Sequence, residues 1–237
     1  MNCDSCGSLV CFADDSSYSK SSKDTKKIKN ELDDKYQDIS NYMAMNKLVL
    51  NSDKTHLLVM CTEEKQRRHQ NYDITLDTGA EVIEPIDSEK LLGGYISSNL
   101  KWNEHIRDNK KSVFKQLTSR VNALCKVCQV SPFKTRKMLA NGMVMSSLIY
   151  LIQLWGGSSA YLLHLLQVIQ NCAARQVTRL NWYTPTKTLL DQCGWLSVKQ
   201  LSIYHSLVLV YKVKSDKKPV QCISMIDLDM NSHTIHG

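Results

Sequence analysis

The stretch "SLVCFADDSSYS", Ser8 to Ser19, runs five apolar residues straight into two adjacent carboxylates and then into small polar residues. A short apolar run bounded by turn-forming residues predicts a buried strand over Ser8 to Phe12, with Asp14 and Asp15 at its end or in the turn that follows. Neighbouring carboxylates repel each other. Such a pair is therefore either an exposed turn or a place where something positive belongs. A divalent cation fits it well, because Mg²⁺ prefers carboxylate and phosphate oxygens and shares its shell with substrate phosphates. Two such ions activate the attacking oxygen and stabilise the leaving one in phosphoryl transfer. A strand–turn–strand is a rigid way to hold the acids, and metal-assisted phosphoryl transfer is the chemistry they could serve.

Working outward, the next signal is helical. Ile28, Leu32, Tyr36, Ile39 and Met43 form one stripe of a 3.6-residue period, with Lys, Glu and Asp on the opposite face. "KLVLNSDKTHLLVM" (Lys47 to Met60) predicts a hairpin turning at Asn51-Ser52-Asp53. "RRHQNYDITLDTGAEVIEPI" (Arg67 to Ile86) predicts a second, with Thr78-Gly79 at its tip. "KLLGGYIS" (Lys90 to Ser97) reads as one more strand, its paired glycines marking a bend or a close backbone approach.

Beyond Trp102 the pattern is helical throughout. Ile106, Val113, Leu117, Val121, Leu124 and Cys128 mark one face of a long helix whose other sides carry Arg107, Lys110, Lys111, Lys115, Arg120 and Lys126. Ser131-Pro132 predicts the next start, with Ser as N-cap and Pro in the first turn, and Gly156-Gly157 its end. A third helix runs from Ser159 to Leu180 through Leu162, Leu166, Ile169, Ala173 and Val177. Thr184-Pro185 opens a short helix stopped by Gly194, and Ser197 caps a last one reaching Lys214. The expected plan is α+β over residues 1–100, a helical region over 101–214 and a loose polar tail over 215–237, without internal repeats.

The 237 residues, 43% apolar, are enough for a real core. No secretory signal is read at the start, so the nine cysteines are expected to be reduced and mostly buried as small hydrophobes. The pairs Cys3/Cys6 and Cys125/Cys128 have the bite of a zinc site but lie far apart and lack histidines at finger-like spacing. Packing explains Cys125 and Cys128 better, at i, i+3 on an apolar helix face. The longest apolar run, "MVMSSLIYLIQLW" (Met143 to Trp155), is 13 residues and suits a core helix rather than a membrane span. A nuclear or cytoplasmic location follows as the expectation, with no membrane partner.

Charge is uneven along the chain. Residues 1–100 carry a net −5, residues 101–140 hold 10 basic against 2 acidic side chains, and residues 141–237 carry +4. A local positive segment suits a polyanion such as nucleic acid, although a solvated helix face produces the same run.

"FADD" (Phe12 to Asp15) resembles the aspartate-pair motif of reverse transcriptases in the form used by non-LTR (LINE-type) retrotransposons. Further blocks follow in the family's order. "MNKLVLNSDKTHLLVM" is similar to the next palm motif, and "EKLLGGYISSNLKWNEHI" to the family's hairpin and its Leu-x-Trp-x-x-His-Ile stretch. "SSLIYLIQLWGGSS", "LLQVIQNCAARQVTRL" and "TPTKTLLDQCGWLSVKQ" are similar to the helical region after the palm. The likeness covers Leu9 to about Lys214.

The resemblance implies a partial palm of short antiparallel strands and one amphipathic helix, followed by an all-α thumb. It implies Mg²⁺ on Asp14, with Asp15 supporting. Lys54 would sit near the incoming nucleotide's phosphates, although a solvated turn explains it equally. Leu92, Gly93 and Gly94 match the primer-gripping hairpin, with Leu-Leu-Gly in place of the family's Phe-Leu-Gly. Trp102 and His105 match recurring positions that packing also explains. Lys110, Lys111, Lys115, Arg120, Lys134, Arg136 and Lys137 would contact phosphates of an RNA template and a DNA primer, giving a salt-dependent affinity. No protein partner is indicated. The family's third catalytic aspartate comes from an earlier strand, for which this sequence has no match, and the fingers have none either. The implied activity, RNA-directed DNA synthesis, is therefore not expected of this chain alone. The alternatives are a non-catalytic nucleic-acid-binding thumb module and a decayed transposon remnant.

Overall fold

The structure, a computed structural model, describes residues 7–13, 15–62, 74–79 and 81–215. It is α+β and divides between Lys101 and Trp102 into two compact units.

In the first unit, β1 (Ser8–Phe12) and β2 (Asp15–Ser19) form an antiparallel hairpin with Phe12 opposite Asp15. Two residues link the strands, a connection that favours positive φ, and Ala13 takes φ +54°. The expected burial of β1 is not found. Leu9, Val10 and Phe12 are 47%, 58% and 64% exposed. The reason is that among the described residues β1 and β2 pair only with each other, and a two-stranded sheet hides neither of its faces. At the far end of the hairpin Lys20 pairs with Glu31 at 2.5 Å.

Glu31 lies in α1 (Thr25–Met45), whose N-terminus is capped by the Asp24 carboxylate accepting from the Lys26 and Lys27 amides. The predicted stripe is half-buried along its length, and Leu32 and Tyr36 pack on Leu57, Ile74 and Leu76, the unit's buried core. Two polar ties fix the helix against β3 (Leu76–Asp77). Lys29 donates to Thr75 at 3.0 Å, and the Asp77 amide donates to the Asp33 carboxylate at 2.9 Å.

The hairpin expected over Lys47–Met60 is absent. Leu48 and Val49 are exposed, Ser52–Lys54 is a single 3₁₀ turn, and Leu57 makes one isolated parallel bridge with Pro85. The Asn51 carbonyl takes both the Lys54 amide and the Thr55 hydroxyl, which coils the chain where a strand was expected. The second hairpin forms between β3 and β4 (Val82–Ile83), with Gly79 at φ +81° in its turn, while the Arg67–Asp73 part of that expectation lies outside the described residues. "KLLGGYIS" is not one strand. It belongs to two, β5 (Ser88–Leu91) and β6 (Gly94–Ser97), joined at Leu92 (φ +47°) and Gly93 (φ +85°). Positive φ at both central residues is the geometry of a tight hairpin, and Gly93 supplies it without strain.

The second unit is helical around one continuous core. The single long helix expected from Ile106 to Cys128 breaks at residues 109–112. A π-type turn at Glu104–Asp108 precedes α2 (Val113–Cys128). Asn109 causes the break, its side chain accepting the Lys111 amide and its carbonyl accepting the Ser112 amide. Helix α3 (Phe133–Ala140) starts after Pro132. Ser131 does not cap it, because its hydroxyl donates back to the Val127 carbonyl. A π-type turn at Asn141–Met145 leads into α4 (Ser146–Ile149), and Leu151 at φ +57° separates α4 from α5 (Ile152–Trp155). The expected single helix to Gly156 is thus broken, and the buried Trp155 indole donates to the Tyr150 carbonyl freed by the break.

Helix α6 (Ala160–Thr178) is central, packing on α2, α3, α7 (Thr186–Cys193) and α8 (Val198–Lys214). Its predicted stripe, Leu162, Leu166, Ile169, Ala173 and Val177, is buried. The three late helices follow their sequence signals: Ser159 accepts from the Leu162 amide, Gly194 ends α7 at φ +62°, and Ser197 with Gln200 forms a capping box. Gly156 lets α5 approach α8, since a Cβ there would fall 2.1 Å from the Ser202 hydroxyl. The tail expected to be loose lies outside the described residues from 216 on.

Candidate nucleic-acid interface

The catalytic-looking residues are in the first unit. Asp14 lies outside the described residues, and Asp15 is exposed as the first residue of β2. Lys54 is exposed on its 3₁₀ turn, and among the described residues neither Asp15 nor Lys54 makes a side-chain hydrogen bond or ion pair. Leu92 and Gly93 form the tip of the β5–β6 hairpin, and Gly94 is buried as the first residue of β6. No group of three potential ligands among the described residues could hold a metal ion. At the β1–β2 tip the described carboxylate is that of Asp15, exposed to solvent.

The basic residues are in the second unit, and they divide into two kinds. Lys110, Lys111, Lys115 and Lys134 are exposed, and Lys137 is half-buried. Lys115 donates to the Asn109 carbonyl at 3.2 Å. The arginines are used differently. Arg136 is buried, with Nε donating to the Val177 carbonyl at 2.8 Å and Nη1 to the Ser131 carbonyl at 2.7 Å. Arg120 donates to the Met143 carbonyl at 3.1 Å. The expectation that Arg136 contacts phosphates therefore gives way to a structural role. Val177 sits in the last turn of α6, where unpaired carbonyls carry the negative end of the helix dipole.

Sequence reasoning missed two further arginines of the same kind. Arg179 donates to the Cys128 and Gln129 carbonyls at the C-terminal end of α2, at 2.9 and 2.6 Å. Arg175 donates to the Trp182 carbonyl at 3.0 Å, its guanidinium 4.5 Å from the centre of the Trp182 ring. A signal was present in the sequence, because from residue 109 to residue 190 there is no Asp or Glu while 11 Lys and Arg occur. Without carboxylates to pair with, arginines in this stretch turn to backbone carbonyls or to solvent.

His105 and Trp102 pack. His105 is 3% exposed, edge-on to the Trp102 ring at 5.9 Å, and burial holds its pKa below the ordinary value. Cys128 is buried and Cys125 half-buried on α2, both as free thiols; Cys3 and Cys6 lie outside the described residues. Burial pushes the Cys128 thiol up, and that of Cys193 to about 11. Such thiols are poor metal ligands and poor nucleophiles at neutral pH. No described helix is long and apolar enough to cross a membrane.

Between Trp102 and Ser215 the helical unit holds 15 Lys and Arg, of which Arg136 is buried, against 3 Asp and Glu. Five exposed lysines, Lys110, Lys111, Lys115, Lys126 and Lys134, stand on the segment before α2, on α2 itself and on α3. Such a surface can hold a polyanion by its phosphates. Comparison of the chain with family models, with curated proteins and with solved structures finds no match.

Proposed function

We propose that the chain is part of the palm and the thumb of an RNA-directed DNA polymerase of the non-LTR retrotransposon type, and that by itself it grips nucleic acid without joining nucleotides. The observation that carries the binding part is the acid-free stretch 109–190, whose exposed lysines stand on a well-packed helical frame. Phosphates neutralised by such lysines release counterions, which makes the affinity fall steeply with salt. The polymerase part rests on the ordered blocks of sequence. The β1–β2 hairpin bearing Asp15 and the tight Leu92-Gly93 hairpin have the local form that this reading requires. Magnesium on Asp14 and Asp15, and Lys54 beside a nucleotide's phosphates, belong in this reading to the assembled enzyme. The place of action is the nucleus or the cytoplasm, where template RNA and primer are found.

Filter binding of the purified chain to a primer–template duplex at rising salt tests the grip. Lys110→Glu/Lys111→Glu/Lys115→Glu is expected to abolish it, and salt-independent binding would remove the reading. Primer extension with Mg²⁺ is expected to yield no product; robust extension would refute inertness.

The uncovered β1–β2 hairpin favours a second reading, a decayed transposon remnant with no selected role. Exposed Leu9, Val10 and Phe12 beside open sheet edges are an aggregation hazard. A soluble chain that unfolds cooperatively in both units would count against it.

A further inference from the structure

"LNWYTPT", Leu180 to Thr186, sets two large aromatics on the surface of an otherwise well-packed helical unit. Trp182 is 67% exposed and Tyr183 is 88% exposed. The turn that presents them is fixed by Asn181, whose side chain accepts the Tyr183 amide at 3.3 Å and whose carbonyl accepts the Thr184 amide at 3.0 Å. Arg175 reaches across from α6, donates to the Trp182 carbonyl at 3.0 Å and lays its guanidinium 4.5 Å from the ring centre. The cation orients the indole while most of the ring stays open to solvent. Arg179, which also donates to the Cys128 and Gln129 carbonyls, and Lys187 flank the turn in sequence, both exposed, and the nearest acidic residue along the chain is Asp191.

We propose that Trp182 and Tyr183 form a stacking platform for unpaired bases of a single-stranded nucleic acid, with Arg175 as its positioning residue. The inference rests on the reading of the chain as a nucleic-acid binder and adds to it a preference for single strands. Every base presents a π-face, so an exposed aromatic beside positive charge binds single strands with little regard to sequence. Trp, Tyr and Arg also make protein hot spots. The surroundings here favour the polyanion, since a protein partner gains nothing from so one-sided a charge unless it is itself strongly acidic.

The test is fluorescence anisotropy of the full chain with three labelled probes, each about 20 nucleotides long to span more than one site: oligo(dT), an abasic strand of equal length, and a duplex. In Trp182→Ala/Tyr183→Ala, oligo(dT) affinity is expected to fall about tenfold or more. The abasic strand should be unaffected, the salt slope unchanged because no charge is removed, and Trp182→Phe should keep most of the affinity. Circular dichroism of the double variant should match the wild type, both side chains being at the surface. Failure of the wild type to bind any probe would sink the nucleic-acid reading and this inference with it. Wild-type binding with no loss in the double variant, or an equal loss on abasic and base-bearing strands, would sink the platform alone and leave the aromatics to a protein partner.

Discussion

The unit ending at Lys101 and the unit beginning at Trp102 have very different interiors. Among the described residues the first buries Leu57, Ile74 and Leu76 beneath α1 and forms three sheets of two strands each. The second buries 22 of its described residues in one cluster that runs from Ile106 to Leu201. The contrast follows from how each kind of element hides its apolar side. A helix offers one stripe that a neighbouring helix covers, and α6 has helices on several sides. A two-stranded hairpin has to be covered by something else, and β1–β2 is not. Charge divides the same way. Carboxylates of the first unit fasten its thin frame, as Glu31 does with Lys20, whereas the second unit uses arginines on helix-end carbonyls.

The sharpest way to break the comparison is at Trp155, the last residue of α5 and fully buried in the core. Trp155→Ala should cost about 3–5 kcal/mol, from lost burial and the cavity left behind. Urea denaturation followed by helical circular dichroism would measure it, and a cost below about 1 kcal/mol would mean the core is less continuous than described. Next comes Arg136 against Lys134, two residues of one helix given the same role by the sequence. Arg136→Met should lose about 2–3 kcal/mol of stability by stranding the Val177 and Ser131 carbonyls. Lys134→Met should stay within about 0.5 kcal/mol in stability and instead shallow the salt slope of nucleic-acid binding by about 1.

The pH dependence is smaller and has two limbs. Folding holds the Cys193 thiol protonated up to about 11, whereas in the unfolded chain it ionises near 9.0. Unfolding therefore releases a proton in that window, and stability should fall as pH rises from 9 to 11. His105 is lowered by burial, so the unfolded chain takes up a proton first as pH drops below 6.5, and stability is lost on that side too. A urea midpoint series across pH should show a plateau between the limbs, and Cys193→Val should shrink the alkaline one, leaving the smaller share that the buried Cys128 thiol supplies. The smallest effect is expected in the first unit, where Leu9→Ala at the uncovered hairpin should change stability by less than about 0.5 kcal/mol. A cost above about 2 kcal/mol would mean that β1 is covered after all.

Much of the helical unit was legible in the sequence, since a repeating apolar stripe and a cap are local features. Leu162 to Val177 gave the buried face of α6, and Ser159, Ser197 and Gly194 gave three of its boundaries. The interruptions were less visible. Asn109 and Leu151 sit inside runs whose apolar spacing continues across them, so the period alone did not reveal the breaks. For the candidate interface, charge density picked out Lys110, Lys111, Lys115 and Lys134, which the structure leaves exposed. Arg136 was found by the same rule and misassigned, because a count of charges cannot tell a surface cation from one turned inward to a carbonyl.

By itself, then, the sequence determined the α+β order of the chain, the amphipathic face of α1, the capped helices α6 to α8 and the concentration of positive charge after Lys101. Only the tertiary structure decided that β1 lies uncovered, that Lys47–Met60 forms no hairpin, that Arg136 belongs to the core and that Trp182 and Tyr183 face solvent. The physical reason is range. Helical period and capping depend on residues within about four positions of one another, whereas burial depends on what other segments bring to the same place.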